Sequence, residues 1–245
     1  MNTMKSFKNI LLISLLICLA GIGISSCNLG GLQLQKSEIF HPHVLDPNQH
    51  ITAWQFLKEH TDTSLVDTGM IWMWRAIQYT GMDSTEYLDT GKTFIFLNNS
   101  AVLATKSGKV TTSCYFGKYT VVERDAHGDT VFKNNKPVMV PATSWSDYPQ
   151  QQIKNYLEYL IIKGKYSFNN LTSTNITVQT LLPPNTDTLN PQSIMTISMT
   201  NDGNSQIQLN NFFGSGGYVT VQTGGILCTN GVVHAIGNVL FYQKK

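Results

Sequence analysis

The stretch Gly224-Gly225-Ile226-Leu227-Cys228-Thr229-Asn230-Gly231-Val232-Val233-His234-Ala235-Ile236-Gly237-Asn238-Val239-Leu240 decides how this chain folds. Read physically, it is two short β-strands joined by a tight turn. Asn230-Gly231 tolerates the positive φ that a two-residue hairpin connection requires. Its flanks, Ile226-Leu227-Cys228 and Val232-Val233-His234-Ala235-Ile236, are β-branched and apolar enough for half-buried strands.

Working outward, strands are expected at Ile176 to Leu181, Ile194 to Thr200, Gln206 to Leu209 and from Tyr218 onward. Pro183-Pro184-Asn185 and Asn201-Asp202-Gly203-Asn204 punctuate them. Gly214-Ser215-Gly216-Gly217 lies between strands and reads as a connecting loop. Ile153 to Ile162 predicts a helix with the stripe Ile153, Tyr156, Leu157 and Leu160, stopped by Gly164. Lys92 to Leu97 is a strand by composition, and Asn98-Asn99-Ser100 caps a short helix from Ala101. Between them, Tyr115 to Arg124 and Thr130-Val131-Phe132 predict a hairpin turning through Asp125 to Asp129, followed by a turn at Asn134-Asn135-Lys136-Pro137. Ile51 to His60 and Val66 to Tyr79 predict amphipathic helices, the second packing through Met70, Trp74 and Ile77. Trp72 falls on its opposite side. Helices early and strands late give an α+β class.

Three segments, in order, resemble the landmarks of fasciclin-like (FAS1) domains. Thr93 to Ala101 is similar to the first signature, with Leu97 where a proline is usual. Leu157 to Tyr166 is similar to the middle motif, with Tyr159 kept and Leu160 in place of a histidine. Thr229 to Leu240 is similar to the closing signature, with Asn230, Gly231 and His234 kept and Gly237 where an aspartate is common. The resemblance implies a β-sandwich or wedge of about seven strands with helices packed along one edge. It spans residues 49–245, with an oversized insertion at about 104–150. It also implies a structural, hydrogen-bonded role for His234.

The N-terminus reads as an export signal. Lys5 and Lys8 precede an apolar run from Ile10 to Ile24, roughly 15 residues against the roughly 20 that a membrane-spanning helix needs. Small residues then lead into Cys27, resembling a bacterial lipobox in which the cysteine is acylated. Residues 1–26 are thus a signal peptide and 27–48 a flexible tether, interrupted by Pro42 and Pro47. The full chain carries +2, and loss of Lys5 and Lys8 brings it near zero. With no Lys/Arg stripe elsewhere, nucleic acid is not an expected partner. The same subtraction leaves Cys114 and Cys228. An exported location permits a disulfide between them, and two buried thiols are the alternative.

Catalytic signatures are absent: no Gly-x-Ser-x-Gly, no His-Glu-x-x-His, no phosphate-binding loop. His41 and His43 lack companion ligands. The sequence therefore predicts no catalytic residue, metal or cofactor, and a non-enzymatic binding or adhesion module. The resemblance extends to lipoproteins of Gram-negative gut bacteria that accompany outer-membrane glycan uptake. It implies a lipid-anchored protein of the cell envelope, at the outer membrane, whose partner is a glycan. The alternative is a structural subunit binding an envelope protein through the 104–150 insertion. Trp72, Trp145, Tyr148 and Tyr115 are the candidate ligand-contact aromatics. Three tripeptides, Asp187-Thr188-Leu189 among them, resemble O-glycosylation signals of some anaerobic bacterial envelopes.

Overall fold

Every residue from Thr93 to Leu97 is buried, so this strand (β1, Lys92–Leu97) is apolar on both faces and does not alternate. That pattern belongs to a strand covered on both sides. The computed structural model describes residues 48–61, 68–201, 205–212 and 217–242. Cys27, the signal segment and nearly all of the expected tether lie outside the described residues, as do His41 and His43. Six further strands join β1: β2 (Ile161–Lys163), β3 (Ile176–Gln179), β4 (Ile194–Met199), β5 (Ile207–Leu209), β6 (Val219–Leu227) and β7 (Gly231–Ile236).

The sheet order is β2-β1-β7-β6-β5-β4-β3. β1 and β7 run parallel, with Lys92 opposite Gly231 and Leu97 opposite Ile236. Its other pairings are antiparallel. The two edges come back together, because Leu181 N–H donates to Ile161 O at 2.8 Å and Ile162 bridges Thr180. The result is a seven-stranded sheet nearly closed into a wedge, within the expected α+β class. Closure also removes the unpaired edges that would otherwise template aggregation.

The described residues form five α-helices. α1 (Ala53–Glu59) starts on a capping box, with Thr52 Oγ1 accepting from Gln55 N–H and Gln55 Oε1 accepting from Thr52 N–H. α2 (Ile71–Thr80) ends at Gly81 in the left-handed conformation. α3 (Asn99–Val102) and α4 (Tyr115–Lys118) are single turns. α5 (Gln150–Tyr159) follows Pro149 and buries Ile153, Tyr156, Leu157 and Tyr159. It stops before the predicted Ile162. Ile161 and Ile162 pair instead with Phe94 and Thr93 of β1, so strand pairing overrides the helical periodicity.

In the insertion the expected turn at Asp125 to Asp129 forms, with Arg124 bridging Thr130 and Val131 N–H donating to Glu123 O at 3.0 Å, but the strand before it is shorter than expected. Tyr115 opens α4, and Val121–Val122 pairs with Met139–Val140. The predicted turn at Asn134-Asn135 forms, both residues being left-handed between Phe132–Lys133 and Lys136–Pro137.

The closing hairpin forms as well, but its glycine serves another purpose. Cys228 and Gly231 exchange backbone hydrogen bonds of 2.9 and 3.3 Å, making Thr229-Asn230 the central pair. Neither Asn230 nor Gly231 adopts a positive φ. A Cβ at Gly231 would lie 2.3 Å from Lys92 O and 2.8 Å from a Phe94 ring carbon. Glycine is required there by the close approach of β7 to β1.

Asn230, buried at 4% exposure, ties three elements to that turn. Its Oδ1 accepts from Ala53 N–H at the start of α1 (2.8 Å), and its Nδ2 donates to Tyr87 O (2.9 Å) and Asp89 O (3.0 Å). Its own carbonyl accepts from Gly91 N–H at 2.9 Å. The three signature segments also converge. Thr93 Oγ1 donates to Gly164 O (2.8 Å) and accepts from Tyr166 N–H (2.9 Å). His234 joins in through Nε2–H, which donates to Tyr166 O at 2.8 Å, while Nδ1 accepts from Gly225 N–H at 3.0 Å. That pairing fixes the tautomer.

Two stability outcomes follow from this network. Asn230→Asp keeps the shape but sets a carboxylate oxygen against two carbonyls, so it should cost about 3 kcal/mol in urea unfolding; a midpoint within error of wild type would overturn the network's role. Burial, opposed in part by the Tyr166 hydrogen bond, pushes the His234 pKa down from 6.5 to about 4. The native state thus refuses a proton that the unfolded chain takes up. The stability contribution is complete above pH 6.5 and is lost as pH falls toward 4, on the order of 3 kcal/mol. His234→Gln should flatten that part of the stability-pH profile relative to wild type.

Candidate functional site

Three of the four aromatics expected at a ligand surface are interior. Tyr115, Trp145 and Tyr148 are 1%, 3% and 5% exposed. Trp145 packs 5.1 Å from Tyr115 and 5.0 Å from Phe116, ring centre to ring centre, and its Nε1–H donates to Trp72 O at 2.9 Å. Tyr148 donates to Tyr119 O and its carbonyl accepts from Tyr79 Oη. The reason is economy of apolar area: the insertion has no core of its own, so its large rings become the core that seats it on α2. Trp72 alone is half-buried, with its edge toward Phe116 at 5.4 Å and the Arg75 guanidinium 5.0 Å from its ring centre. Cys114 and Cys228 are buried free thiols and no disulfide joins them. Burial pushes the Cys228 thiol up to about 11, so it stays protonated at neutral pH.

The rings that do meet open space line a cleft of about 450 Å³ between α4, α5, the 182–188 loop and the C-terminal segment. That volume falls within the roughly 300–1,000 Å³ of small-ligand sites. Tyr115, Tyr156, Tyr159, Leu182 and Leu240 are its buried lining, and Tyr119, Phe241 and Tyr242 are half-exposed. Gln152, Asn155, Thr186, Asp187 and Thr188 supply the polar groups. Of the four aromatics named from sequence, only Tyr115 reaches this cleft.

The lining is held in place by its neighbours. Asn210, buried and left-handed at φ 57°, donates from Nδ2 to Tyr159 Oη and to Phe241 O, both at 2.8 Å. Leu240 N–H donates to Tyr156 Oη at 3.3 Å, and Gln152 Nε2 to Tyr115 Oη at 3.4 Å. Asp187 Oδ1 accepts from Leu189 N–H at 2.8 Å. Burial first, and then the Asp187 charge, push the Tyr119 hydroxyl up to about 12 and the Tyr242 hydroxyl in the same direction. These phenols are therefore protonated donors at neutral pH. The cleft offers aromatic faces, amides and hydroxyls, and no nucleophile paired with a base.

A second hollow, of about 430 Å³, is lined by Phe56, His60, Met70, Asn98 and Ile226 among others. Among the described residues, no group of three or more His, Cys, Asp or Glu stands close enough to hold a metal ion. No described helix is long and apolar enough to cross a membrane.

Residues 130–242 match the fasciclin domain family. The match and the nearly closed seven-stranded sheet are consistent with a FAS1 fold. Such domains are generally non-enzymatic adhesion or binding modules. No curated protein matches the chain. The matched stretch begins inside the insertion, whereas the compact unit that contains it starts at Asp46 and includes β1, α1 and α2.

The departures from the family's wording each have a local account. Leu97 uses the N–H that a proline would lack, placing it 3.2 Å from Met73 Sδ. Leu160 is wholly buried. A Cβ at Gly237 would lie 2.2 Å from the Gln222 amide nitrogen, and that side chain's Oε1 accepts from Asn98. Asp187, Asn155, Phe241 and Tyr242 are not legible as a site in the sequence because they come from three separate segments. Trp145→Ala should behave as a core deletion, costing about 3–5 kcal/mol in denaturant unfolding. A loss under about 1 kcal/mol would return Trp145 to the surface.

Proposed function

We propose that this protein is a lipid-anchored, non-enzymatic binding module of the cell envelope, at the outer membrane, whose fasciclin-like domain holds a glycan in the tyrosine-lined cleft. The observation that carries this reading is the cleft's composition. Half-exposed Tyr119, Phe241 and Tyr242 offer flat apolar faces, while Gln152, Asn155 and Asp187 offer hydrogen-bonding groups. A pyranose ring presents the complement: C–H faces that stack on aromatic rings and hydroxyls that bond to amides and carboxylates. Acylation at Cys27 supplies the anchor, and residues 28–48 give it standoff from the lipid surface.

Glycan affinity electrophoresis over a broad panel tests the reading. A retarded wild type, released by Tyr119→Ala or Phe241→Ala, is the expected result. Truncating these half-exposed rings should weaken binding by about 1–3 kcal/mol while leaving the fold intact. Unchanged mobility of the wild type on every glycan would overturn it. Metabolic palmitate labelling that persists in Cys27→Ser would overturn the anchor.

A second reading, a structural subunit contacting an envelope protein, has its own observation. Phe132 is 63% and Met139 51% exposed, both on the insertion. Exposed large apolar side chains at neighbouring strand positions suit a protein contact. Pull-down from solubilised membranes decides between the readings, with a stoichiometric partner lost on Phe132→Asp favouring the second.

A further inference from the structure

We infer that Asp187 sets the charge of the ligand, so that the cleft takes sugar rings bearing a protonated amine ahead of neutral ones and rejects acidic sugars. This inference rests on the glycan reading above and sharpens it. Among the described residues the lining holds one carboxylate and no Lys, Arg or His. An acidic sugar entering it would lose water from its carboxylate, find no cation among the lining residues and face Asp187. An ammonium group would meet the opposite situation.

Three observations place Asp187 for that task. It is half-buried, so its charge is less screened than that of an exposed carboxylate. Oδ1 is taken by Leu189 N–H at 2.8 Å, and Oδ2 has no hydrogen-bond or ion-pair partner among the described residues. The loop therefore fixes the carboxylate while leaving one oxygen to accept. Asp187 also stands among the tyrosines of the cleft, whose ring faces attract cations. The chain already shows that attraction at the wall. Lys118 Nζ sits 4.0 Å from the ring centre of Phe241, although Lys118 is not itself part of the lining.

Asp187 thus differs in kind from the rings around it. The rings supply affinity for any sugar, and the carboxylate selects among sugars by charge. A carboxylate acting with an aromatic wall should favour an amine-bearing ring by on the order of tenfold over its uncharged counterpart.

Titration calorimetry of the full-length protein in detergent at pH 6 tests this with four oligomers of one length. These are β-1,4-linked glucosamine, its N-acetylated form, glucose, and an α-1,4-linked galacturonate oligomer. The expected order is glucosamine tightest, the two neutral oligomers weaker and similar, and galacturonate undetectable. Asp187→Asn retains the acceptor for Leu189 N–H, so the loop should hold, and the variant should bind glucosamine and glucose oligomers equally. Asp187→Lys should reverse the order. Equal binding of amine-bearing and neutral oligomers by wild type, or a preference that survives Asp187→Asn, overturns the inference and leaves the glycan reading standing. Failure of all four oligomers to bind overturns the inference, and the glycan reading falls with it only when the broad electrophoresis panel is negative as well.

Discussion

The side chain of Asn230 is the joint on which the domain is assembled. A buried amide must satisfy its donors and acceptor or cost several kcal/mol. This one does so by reaching the first amide of α1 and the two carbonyls that lead into β1. Three pieces distant in sequence are fixed by one residue of a hairpin turn. The position of β1 against β7 depends on it, since Gly91 N–H is held by Asn230 O at 2.9 Å just before β1 begins. Gly231 then admits β1 at a distance no side chain would permit.

Behind that joint lies a dry polar seam. Thr93, Gly164, Tyr166, His234 and Gly225 pass hydrogen bonds from strand to loop to strand, and His234 is wholly buried within them. A histidine so placed resists protonation and accounts for none of the binding chemistry. The opposite holds at the cleft, where half-exposed rings remain, together with a carboxylate one of whose oxygens has no partner among the described residues. One end of the fold is saturated and the other is left open, a division that suits a scaffold bearing a site.

Much of the architecture was legible in the chain. The strands at 92–97, 194–199 and 231–236 are rich in apolar and β-branched residues, and the stripe of Ile153, Tyr156 and Leu157 is buried as its spacing predicts. On α2 Ile77 is buried, but Met70 precedes the helix, Trp74 is half-buried, and Met73 and Ala76 complete the buried face. The errors arose where tertiary pairing outbid local preference. Ile161 and Ile162 extend the helical stripe of α5, yet they serve better as partners of β1. Tyr115 resembles a strand residue by type but is drawn into an aromatic core. Of the cleft, Tyr115 alone was legible as a ligand-contact residue. Asn155 and Tyr242 carry no local motif, Asp187 falls in a tripeptide that suggests modification and not binding, and only the fold brings their segments together. Asn230-Gly231 suits a positive-φ turn by type, whereas the role of Gly231 in the fold is to let two backbones approach.

The parallel pairing of β1 with β7 also dictates when this protein can fold. Roughly 140 residues separate Lys92 from its partner Gly231, a loop whose closure must precede the central contact of the sheet. As the chain is made from its N-terminus, β1 emerges with Phe94, Ile95, Phe96 and Leu97, all buried in the finished sheet, and has one neighbouring strand, β2, before the last strand follows. Its early companions are helical, with Phe56 of α1 6.3 Å from Phe96 and Tyr87 5.9 Å from Phe94, because even β2 comes some 65 residues later. The domain is therefore committed to a late, nearly simultaneous condensation, and an incomplete chain presents an apolar strand to whatever holds it in the meantime.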